Sequence, residues 1–226
     1  MPHDHFLGEL PWLARLPTED RQALAHRARL RQFPAGTALV TEGSVADALF
    51  VITEGRARVV VSSGTGEEAT LAMFGPGEPI GEFSIFDGLP RSASVIATIE
   101  TTALMITREA VIEWVRARPD AAVAIIETLA TRLRRTNQRI SDLSFLDLPH
   151  RLAKQLVTLA VLYDVEAATI NESVRLKITQ GELASMLGVS RESVNKQLNV
   201  FSKQGLITIS RGALTLDDIR SLREFS

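Results

Sequence analysis

The sequence predicts an α+β fold in which a β-roll of the jelly-roll type precedes a long helix and a winged helix-turn-helix unit. Short apolar runs separated by glycine and proline occupy residues 32–106, and a sustained helical repeat occupies residues 119–145. Two short helices and a hairpin are predicted after residue 178. The 226 residues are enough for two compact domains, and a hydrophobic content of 45% is typical of folded chains.

The first third of the chain changes from a helical to a strand pattern. Residues 6–31 are predicted to be helical, because leucines recur among charged neighbours and Pro17-Thr18-Glu19 provides a start signal. After residue 32, alternating apolar runs between glycine turns predict antiparallel strands. These runs are Ala38–Val40, Ala48–Ile52, Ala57–Val61, Thr70–Phe74, Ala93–Ala97 and Ala103–Ile106. A two-layered β-roll accommodates such a series of short strands.

The segment Pro79–Ser94 contains the residue types of an anion-binding loop. Gly81 allows the backbone to approach a ligand closely, and backbone N–H groups follow Glu82 at the start of a short helical turn. A compact turn then brings Arg91 beside those N–H groups. A guanidinium with backbone donors suits a phosphate, while Glu82 can accept a hydrogen bond from a sugar hydroxyl.

Ser92 adds a hydroxyl next to this arginine. The alternative interpretation is an ordinary surface loop in which Arg91 pairs with Asp87, since exposed ion pairs are common in proteins. The two interpretations differ in what the guanidinium contacts, which is a ligand in one and a carboxylate of the same loop in the other.

The helix predicted from Pro119 to about Phe145 follows a shorter one over residues 106–118. Its apolar positions repeat every 3.5 residues, which is typical of a seam between two helices and predicts a parallel homodimer. The repeat is formed by Ala122, Ile126, Leu129, Leu133, Thr136, Ile140 and Leu143. The alternative is an amphipathic helix that packs on its own domain. The basic run Arg132, Arg134 and Arg135, taken alone, predicts a solvated face.

A break at Leu146–Pro149 predicts a hinge, with Asp147 as the cap of a helix that runs to about Tyr163. Residues 164–173 are predicted to form a loop. Thr179-Gln180-Gly181-Glu182 then has the spacing of a capping box, and Gly188-Val189 makes a tight turn.

Ser190 is predicted to cap a second short helix, Arg191–Phe201, whose apolar residues face inward. Arg191, Glu192, Asn195 and Lys196 then face outward near the start of this helix, where a helix in a DNA major groove carries its base-reading groups. A hairpin over residues 206–216 suits a wing.

Gly-Glu-Phe-Ser at residues 81–84, followed by Pro-Arg-Ser-Ala at residues 90–93, resembles the phosphate-binding cassette of the CRP/FNR regulators. The resemblance extends from about Leu10 to about Leu216, although the spacer before the arginine is one residue shorter than in the best-known members. It implies a cyclic nucleotide, cyclic AMP above all, as allosteric ligand. The implied contacts in this segment are Gly81, Glu82, Phe83, Ser84, Arg91 and Ser92.

The resemblance also implies that Thr136 and Asn137 contact the adenine base, one of the two from the partner subunit. Arg132-Leu133-Arg134-Arg135-Thr136-Asn137 matches the family pattern at this place. The alternative is that Thr136 is a polar residue that fixes the register of a coiled coil.

Ser-Arg-Glu-Ser-Val-Asn-Lys at residues 190–196 resembles the recognition helix of the same family. The resemblance implies that Arg191 reads guanine, that Glu192 reads cytosine and that Lys196 reads a further base. These pairings agree with the donors and acceptors of the major groove. Thr179, Gln180 and Ser190 are expected to contact backbone phosphates, and Lys196 stands where the best-known members have arginine, so discrimination there is expected to be looser.

The sequence therefore predicts a homodimeric, cyclic-AMP-responsive transcription factor that binds palindromic double-stranded DNA, with RNA polymerase as a further expected partner. A net charge of −2 means that DNA contact must come from a local basic face. The expected domains are residues 1–118 for nucleotide binding, 119–146 for dimerisation and 147–226 for DNA binding. No catalytic residue or metal site is expected, since no nucleophile–base pair or metal cluster is visible.

Two further expectations follow from composition. The chain has no cysteine, which excludes disulfides and cysteine-ligated iron–sulfur clusters. No apolar run reaches the roughly 18 residues of a membrane span, so a cytoplasmic protein without membrane association is expected.

Two alternatives concern the ligand. One is the same fold tuned to cyclic di-GMP or active without ligand. The other is a haem gas sensor with Pro2, His3 and His5 as possible ligands, although the strands of the phosphate-binding cassette lack any axial ligand and no haem is expected.

Overall fold

A computed structural model describes Leu10, Leu13, residues 16–66 and residues 68–225 of the chain. The possible haem ligands Pro2, His3 and His5 lie outside the described residues, as do eight of the 26 residues of the helix predicted over residues 6–31. The chain divides into two compact units, the first up to Arg135 and the second from Thr136.

The helices of the described residues are α1 Thr18–Ala25, α2 Glu82–Asp87, α3 Arg108–Ala117, α4 Pro119–Phe145, α5 Leu148–Tyr163, α6 Val165–Ile170, α7 Gln180–Leu187, α8 Arg191–Lys203 and α9 Ile219–Phe225. The strands are β1 Arg29–Phe33, β2 Ala38–Val40, β3 Ala48–Glu54, β4 Ala57–Ser62, β5 Glu68–Phe74, β6 Pro79–Ile80, β7 Ser94–Ala97, β8 Thr101–Thr107, β9 Val174–Leu176, β10 Ile207–Ser210 and β11 Ala213–Leu216.

The β-roll predicted from the glycine-punctuated strands is confirmed. In the described part of the first unit, one antiparallel sheet has the order β1-β8-β3-β6 and a second has the order β2-β7-β4-β5. Apolar side chains from both sheets, among them Phe50, Phe74 and Val95, form a single buried cluster. The opposite face of β3, with Leu49 and Val51, packs in a second cluster with the helices. Strand β3 is therefore buried on both faces.

The helical prediction is wrong at its C-terminal end. Residues 29–31 belong to strand β1, which pairs with β8 from Arg29 opposite Met105 to Phe33 opposite Thr101. The strand pairing outweighs the local leucine pattern, since the backbone hydrogen bonds to β8 override weak helix propensity although the strand is largely exposed.

The loop predicted over residues 164–173 is also wrong, because α6 lies within it. Asp164 caps this helix by accepting a hydrogen bond from the backbone N–H of Ala167 at 2.9 Å. Ala168 is fully buried, and its carbonyl accepts a hydrogen bond from Arg223 at 2.7 Å. A helix of six residues is marginal alone, so this long-range contact stabilises an element that local pattern does not indicate.

The winged helix-turn-helix is confirmed in the second unit. Helices α7 and α8 flank the turn at Gly188, which adopts the left-handed conformation with φ 64°. The predicted hairpin forms β10 and β11, and β9 adds a third strand to its sheet. Asp147 caps α5 as predicted, because its carboxylate accepts a hydrogen bond from the backbone N–H of His150 at 3.1 Å.

Candidate functional site

The loop around α2 is built on a glycine that no other residue can replace without strain. Gly81 precedes α2 in the left-handed conformation, with φ 83° and ψ 18°. A Cβ atom at this position would overlap the guanidinium of Arg91. Gly81 is therefore required both by its own backbone angles and by the arginine that packs against it.

Replacing Gly81 by alanine is expected to destabilise the fold more than the same change at Gly36. Gly36 has nearly the same φ, 82°, but open space where a Cβ would lie. Gly36→Ala should therefore report the left-handed strain alone, about 1–2 kcal/mol, while Gly81→Ala should add about 1–3 kcal/mol for overpacking. Urea unfolding of both variants measures the difference, and equal losses would contradict the packing of Arg91 against Gly81.

Arg91 is buried, with 3% of its surface exposed. Its guanidinium donates to the backbone carbonyls of Gly81, at 2.6 Å, and of Ala48. It also forms a long ion pair with Asp47, in which Arg91 Nη2 and Asp47 Oδ1 are 4.0 Å apart. The Asp47 side chain is 88% exposed. Burial lowers the pKa of Arg91, and the charges of Asp47 and Glu82 oppose that shift. A buried cation that rests mainly on carbonyl dipoles would be stabilised by an anion.

The surface-loop interpretation, in which Arg91 pairs with Asp87, is wrong. The carboxylate of Asp87 instead accepts a hydrogen bond from the backbone N–H of Leu89 at 2.9 Å. This contact closes the short turn after α2, and Gly88 ends the helix with φ 73°. The turn therefore leaves the arginine directed inward.

Glu82 is almost fully buried, and its carboxylate accepts a hydrogen bond from Arg132. The same guanidinium donates to the carbonyl of Pro79 at 3.0 Å and lies 4.7 Å from the ring centroid of Phe74. Arg132 therefore joins α4 to the loop within the first unit. The prediction of a solvated face is wrong for this arginine. Its position one helical turn before Thr136, a predicted ligand contact, could have indicated that it lies near the loop.

A second ion pair lies beside the first. Arg135 donates to Glu78 Oε1 at 3.3 Å, while Glu78 Oε2 is buried without a hydrogen-bond partner among the described residues. Burial raises the pKa of Glu78, and Arg132 and Arg135 partly oppose this rise. A cleft of about 370 Å³ opens here between α4 and the loop. Its lining is Pro76, Gly77, Glu78, Pro79, Ala124, Glu127, Thr128, Thr131, Arg132 and Arg135.

The remaining predicted ligand contacts differ in their surroundings. The buried hydroxyl of Ser84 donates to the carbonyl of Pro90 at 3.3 Å, which stabilises the loop. Phe83 and Ser92 are exposed. Gly81, Glu82, Ser84 and Arg91 are thus brought together in the first unit. Thr136 and Asn137 are exposed residues of α4 in the second unit.

Helix α4 leaves much of its apolar repeat uncovered in the single chain. Ile126, Leu133 and Ile140, each seven residues apart, are 63%, 60% and 58% exposed, and Leu143 is 60% exposed. Ala121 and Ala124, on another side of the helix, are buried. These heptad positions are therefore available to another helix. If α4 packed only on its own domain, their exposure would not be explained.

The helix-turn-helix presents its polar residues as the sequence predicts. Val194, Leu198 and Phe201 of α8 are buried, while Arg191 and Glu192 are exposed. Lys196 is exposed as well. Ser190 caps α8 by accepting a hydrogen bond from the backbone N–H of Ser193 at 3.2 Å.

All three predicted phosphate contacts, Thr179, Gln180 and Ser190, already have hydrogen-bond partners within the protein. The capping box of α7 is present, and the Thr179 hydroxyl donates to Glu182 Oε2 at 2.8 Å. A hydroxyl has one proton, so a hydrogen bond from Thr179 to phosphate requires this partner to change. The amide of Gln180 donates to Asn195 Oδ1 at 3.1 Å.

Two family models match the chain. One describes a cyclic nucleotide-binding domain and covers residues 30–118, and the other describes a Crp-like helix-turn-helix domain and covers residues 150–225. None of the helices in the described ranges is long and apolar enough to cross a membrane. The described residues also contain no group of three or more His, Asp or Glu side chains that could hold a metal ion.

The chain is similar to named regulators over most of its length. It is 35% identical to a CRP-like cAMP-activated global transcriptional regulator of Mycobacterium tuberculosis over 88% of this chain and 89% of that protein. It is 30% identical to the cyclic AMP receptor protein of Thermus thermophilus over 93% of each. The solved structure of the c-di-GMP-responsive global regulator CLP of Xanthomonas campestris has the same fold, with a TM-score of 0.75, 24% identity and coverage of 89% of this chain and 99% of that one.

Proposed function

Since the chain belongs to the CRP/FNR family of transcription regulators, with a cyclic nucleotide-binding domain and a Crp-like helix-turn-helix domain, we propose that it is a homodimeric transcription factor controlled by cyclic AMP. The observation that carries the proposal is the buried guanidinium of Arg91 beside Gly81 and Glu82. It provides a positive charge next to the backbone N–H groups that follow Gly81. This charge is hydrogen-bonded to carbonyl groups, and the Asp47 carboxylate lies 4.0 Å away. A cyclic phosphate supplies the missing negative charge.

Glu82 is the proposed acceptor for the ribose hydroxyl, and Arg132 holds its carboxylate in position within the first unit. Phe83, Ser84 and Ser92 are proposed to complete the loop around the sugar and phosphate. Thr136 and Asn137 are proposed to contact the adenine, as the family resemblance implies.

Ligand identity is tested by calorimetric titration with cyclic AMP, cyclic GMP and cyclic di-GMP. The proposal expects a saturable binding heat with cyclic AMP and a much weaker response to cyclic di-GMP. The fold shared with the c-di-GMP-responsive CLP makes cyclic di-GMP the second candidate. Stronger binding of cyclic di-GMP than of cyclic AMP would favour that candidate, and no binding of any of the three would favour a ligand-independent regulator.

The proposed DNA contacts are Arg191, Glu192 and Lys196 for bases and Thr179, Gln180 and Ser190 for phosphates. The exposure of the three base-reading residues at the start of α8 supports this assignment. For a two-fold dimer we then expect two half-sites whose centres are about 34–36 Å apart, which is one turn of DNA. A footprint on a single asymmetric half-site would contradict it.

Glu192→Ala is expected to relax base preference at one position of each half-site. A carboxylate accepts a hydrogen bond from cytosine N4, so its loss should reduce discrimination there by about 1–3 kcal/mol while non-specific binding stays equal or strengthens slightly. Titration of the operator and of its single-base variants measures the preference. Glu224→Ala, which removes an exposed carboxylate outside the proposed contacts, is the control. Unchanged preference at every position in Glu192→Ala would exclude this residue from base reading.

A further inference from the structure

Three amide side chains form a hydrogen-bonded cluster on the exposed side of the helix-turn-helix. Gln180, at the start of α7, donates from Nε2 to Asn195 Oδ1 at 3.1 Å. Asn199, one turn further along α8, donates from Nδ2 to the same oxygen at 3.3 Å. Asn195 itself is exposed and lies one helical turn after Arg191 and Glu192.

In these two hydrogen bonds the Asn195 amide directs its oxygen towards Gln180 and Asn199. A carbonyl oxygen has two lone pairs, and both are used by Gln180 and Asn199. With the Gln180 and Asn199 amides donating, the opposite orientation of Asn195 would bring its NH₂ group against their two NH₂ groups. The Nδ2 atom of Asn195 is therefore the part of the amide that can form a new contact, and it can only donate.

On this basis we propose that Asn195 is a fourth base-reading residue and that Gln180 is the residue that positions it. The inference rests on the proposed DNA-binding function and deepens it. An asparagine that reads adenine uses its oxygen and its nitrogen together, on N6 and N7. Asn195 has only its donors available, so it is best matched by base edges that only accept, O6 and N7 of guanine or O4 of thymine. It is matched less well by adenine, where N7 accepts but the N6 amino group can only donate, and by the amino group of cytosine.

The assignment changes the role of Gln180. Its predicted contact with a phosphate would fix the protein on DNA without reading sequence. Its hydrogen bond to Asn195 instead makes it affect sequence preference indirectly. Because the contact joins α7 to α8 across the turn, loss of Gln180 frees the Asn195 amide to rotate and to accept as well as donate.

The test begins with selection of preferred operators from a randomised DNA library by the full-length protein with saturating cyclic AMP. The variants are Asn195→Ala, Gln180→Ala and the double variant, with Gln204→Ala as the control for loss of an amide beyond the other end of α8. All of the changed side chains are at least partly exposed, so the variants should fold, and circular dichroism checks that they do.

The expected result is a loss of about tenfold in preference for guanine or thymine at one half-site position in Asn195→Ala, as for loss of one good base contact. Gln180→Ala should alter preference at that same position, with a new tolerance for adenine. The double variant should lose no more preference than Asn195→Ala alone, because Gln180 acts through Asn195. Gln204→Ala should keep the wild-type preference.

Three outcomes would overturn the inference. Unchanged preference in Asn195→Ala would show that this residue reads no base. A uniform loss of affinity on all sequences would identify its contact as a phosphate. Effects of Gln180→Ala and Asn195→Ala that multiply, or that fall at different positions, would show that the two residues act independently. Failure of the proposed function is distinct, because the wild-type protein would then select no preferred operator at all.

Discussion

Arg91→Ala should weaken cyclic AMP binding by roughly 30- to 1000-fold, which corresponds to about 2–4 kcal/mol. The guanidinium is the buried positive charge of the loop, so its removal leaves the ligand phosphate with backbone and hydroxyl donors but without that full positive charge. The variant should also be less stable, since the carbonyls of Gly81 and Ala48 lose their donor. Calorimetric titration measures the affinity, and urea unfolding measures the stability loss separately.

A second substitution keeps this prediction testable if the alanine variant does not fold. Arg91→Lys retains a positive charge and a donor but lacks the fork, so it should fold better and still bind cyclic AMP markedly more weakly than the wild type. Arg118→Ala is the matched control, because it removes a half-buried arginine that pairs with Asp20 at 2.5 Å in the same unit. If both Arg91→Lys and Arg91→Ala fold and bind cyclic AMP with wild-type affinity, the phosphate binds elsewhere.

Leu133→Glu should convert the dimer to a monomer at micromolar concentration and remove tight operator binding. The side chain is 60% exposed in the single chain, so the substitution should leave each protomer folded. In a two-fold seam the change occurs twice, and each lost leucine removes about 1.5–3 kcal/mol of burial free energy. The change also brings two carboxylates close together, which repel each other. The dimer dissociation constant should therefore rise by at least about 100-fold.

Sedimentation velocity measures the oligomeric state, and operator titration measures the effect on DNA binding. Arg134→Glu is the control, since it introduces the same carboxylate at an exposed residue one position further, outside the heptad repeat, with a larger change in charge. It should remain a dimer. A Leu133→Glu protein that sediments as a dimer and binds its operator like the wild type would exclude the exposed repeat of α4 as the seam.

The elements that the sequence determined by itself are those with a local cause. Glycine turns separate the successive strands from β2 to β6, and a capping box and a left-handed glycine bound α7. The 3.5-residue repeat from Ala122 to Leu143 lies within α4, whose predicted start at Pro119 and end at about Phe145 agree with the structure. Each of these signals lies within a few residues of the structure that it predicts, so no knowledge of the rest of the fold is needed.

Only the tertiary structure decided the features that depend on distant partners. Strand β1 exists because it pairs with β8, about 70 residues later in the chain. Glu82 is held by Arg132, 50 residues away, and Arg91 reaches the carbonyl of Ala48, 43 residues away. The sequence indicates which of these residues carry charge, but their burial and pairing follow from packing that brings separate segments together. That packing also joins Gln180 to Asn195 across the turn, a hydrogen bond between residues 15 positions apart that the local pattern does not indicate.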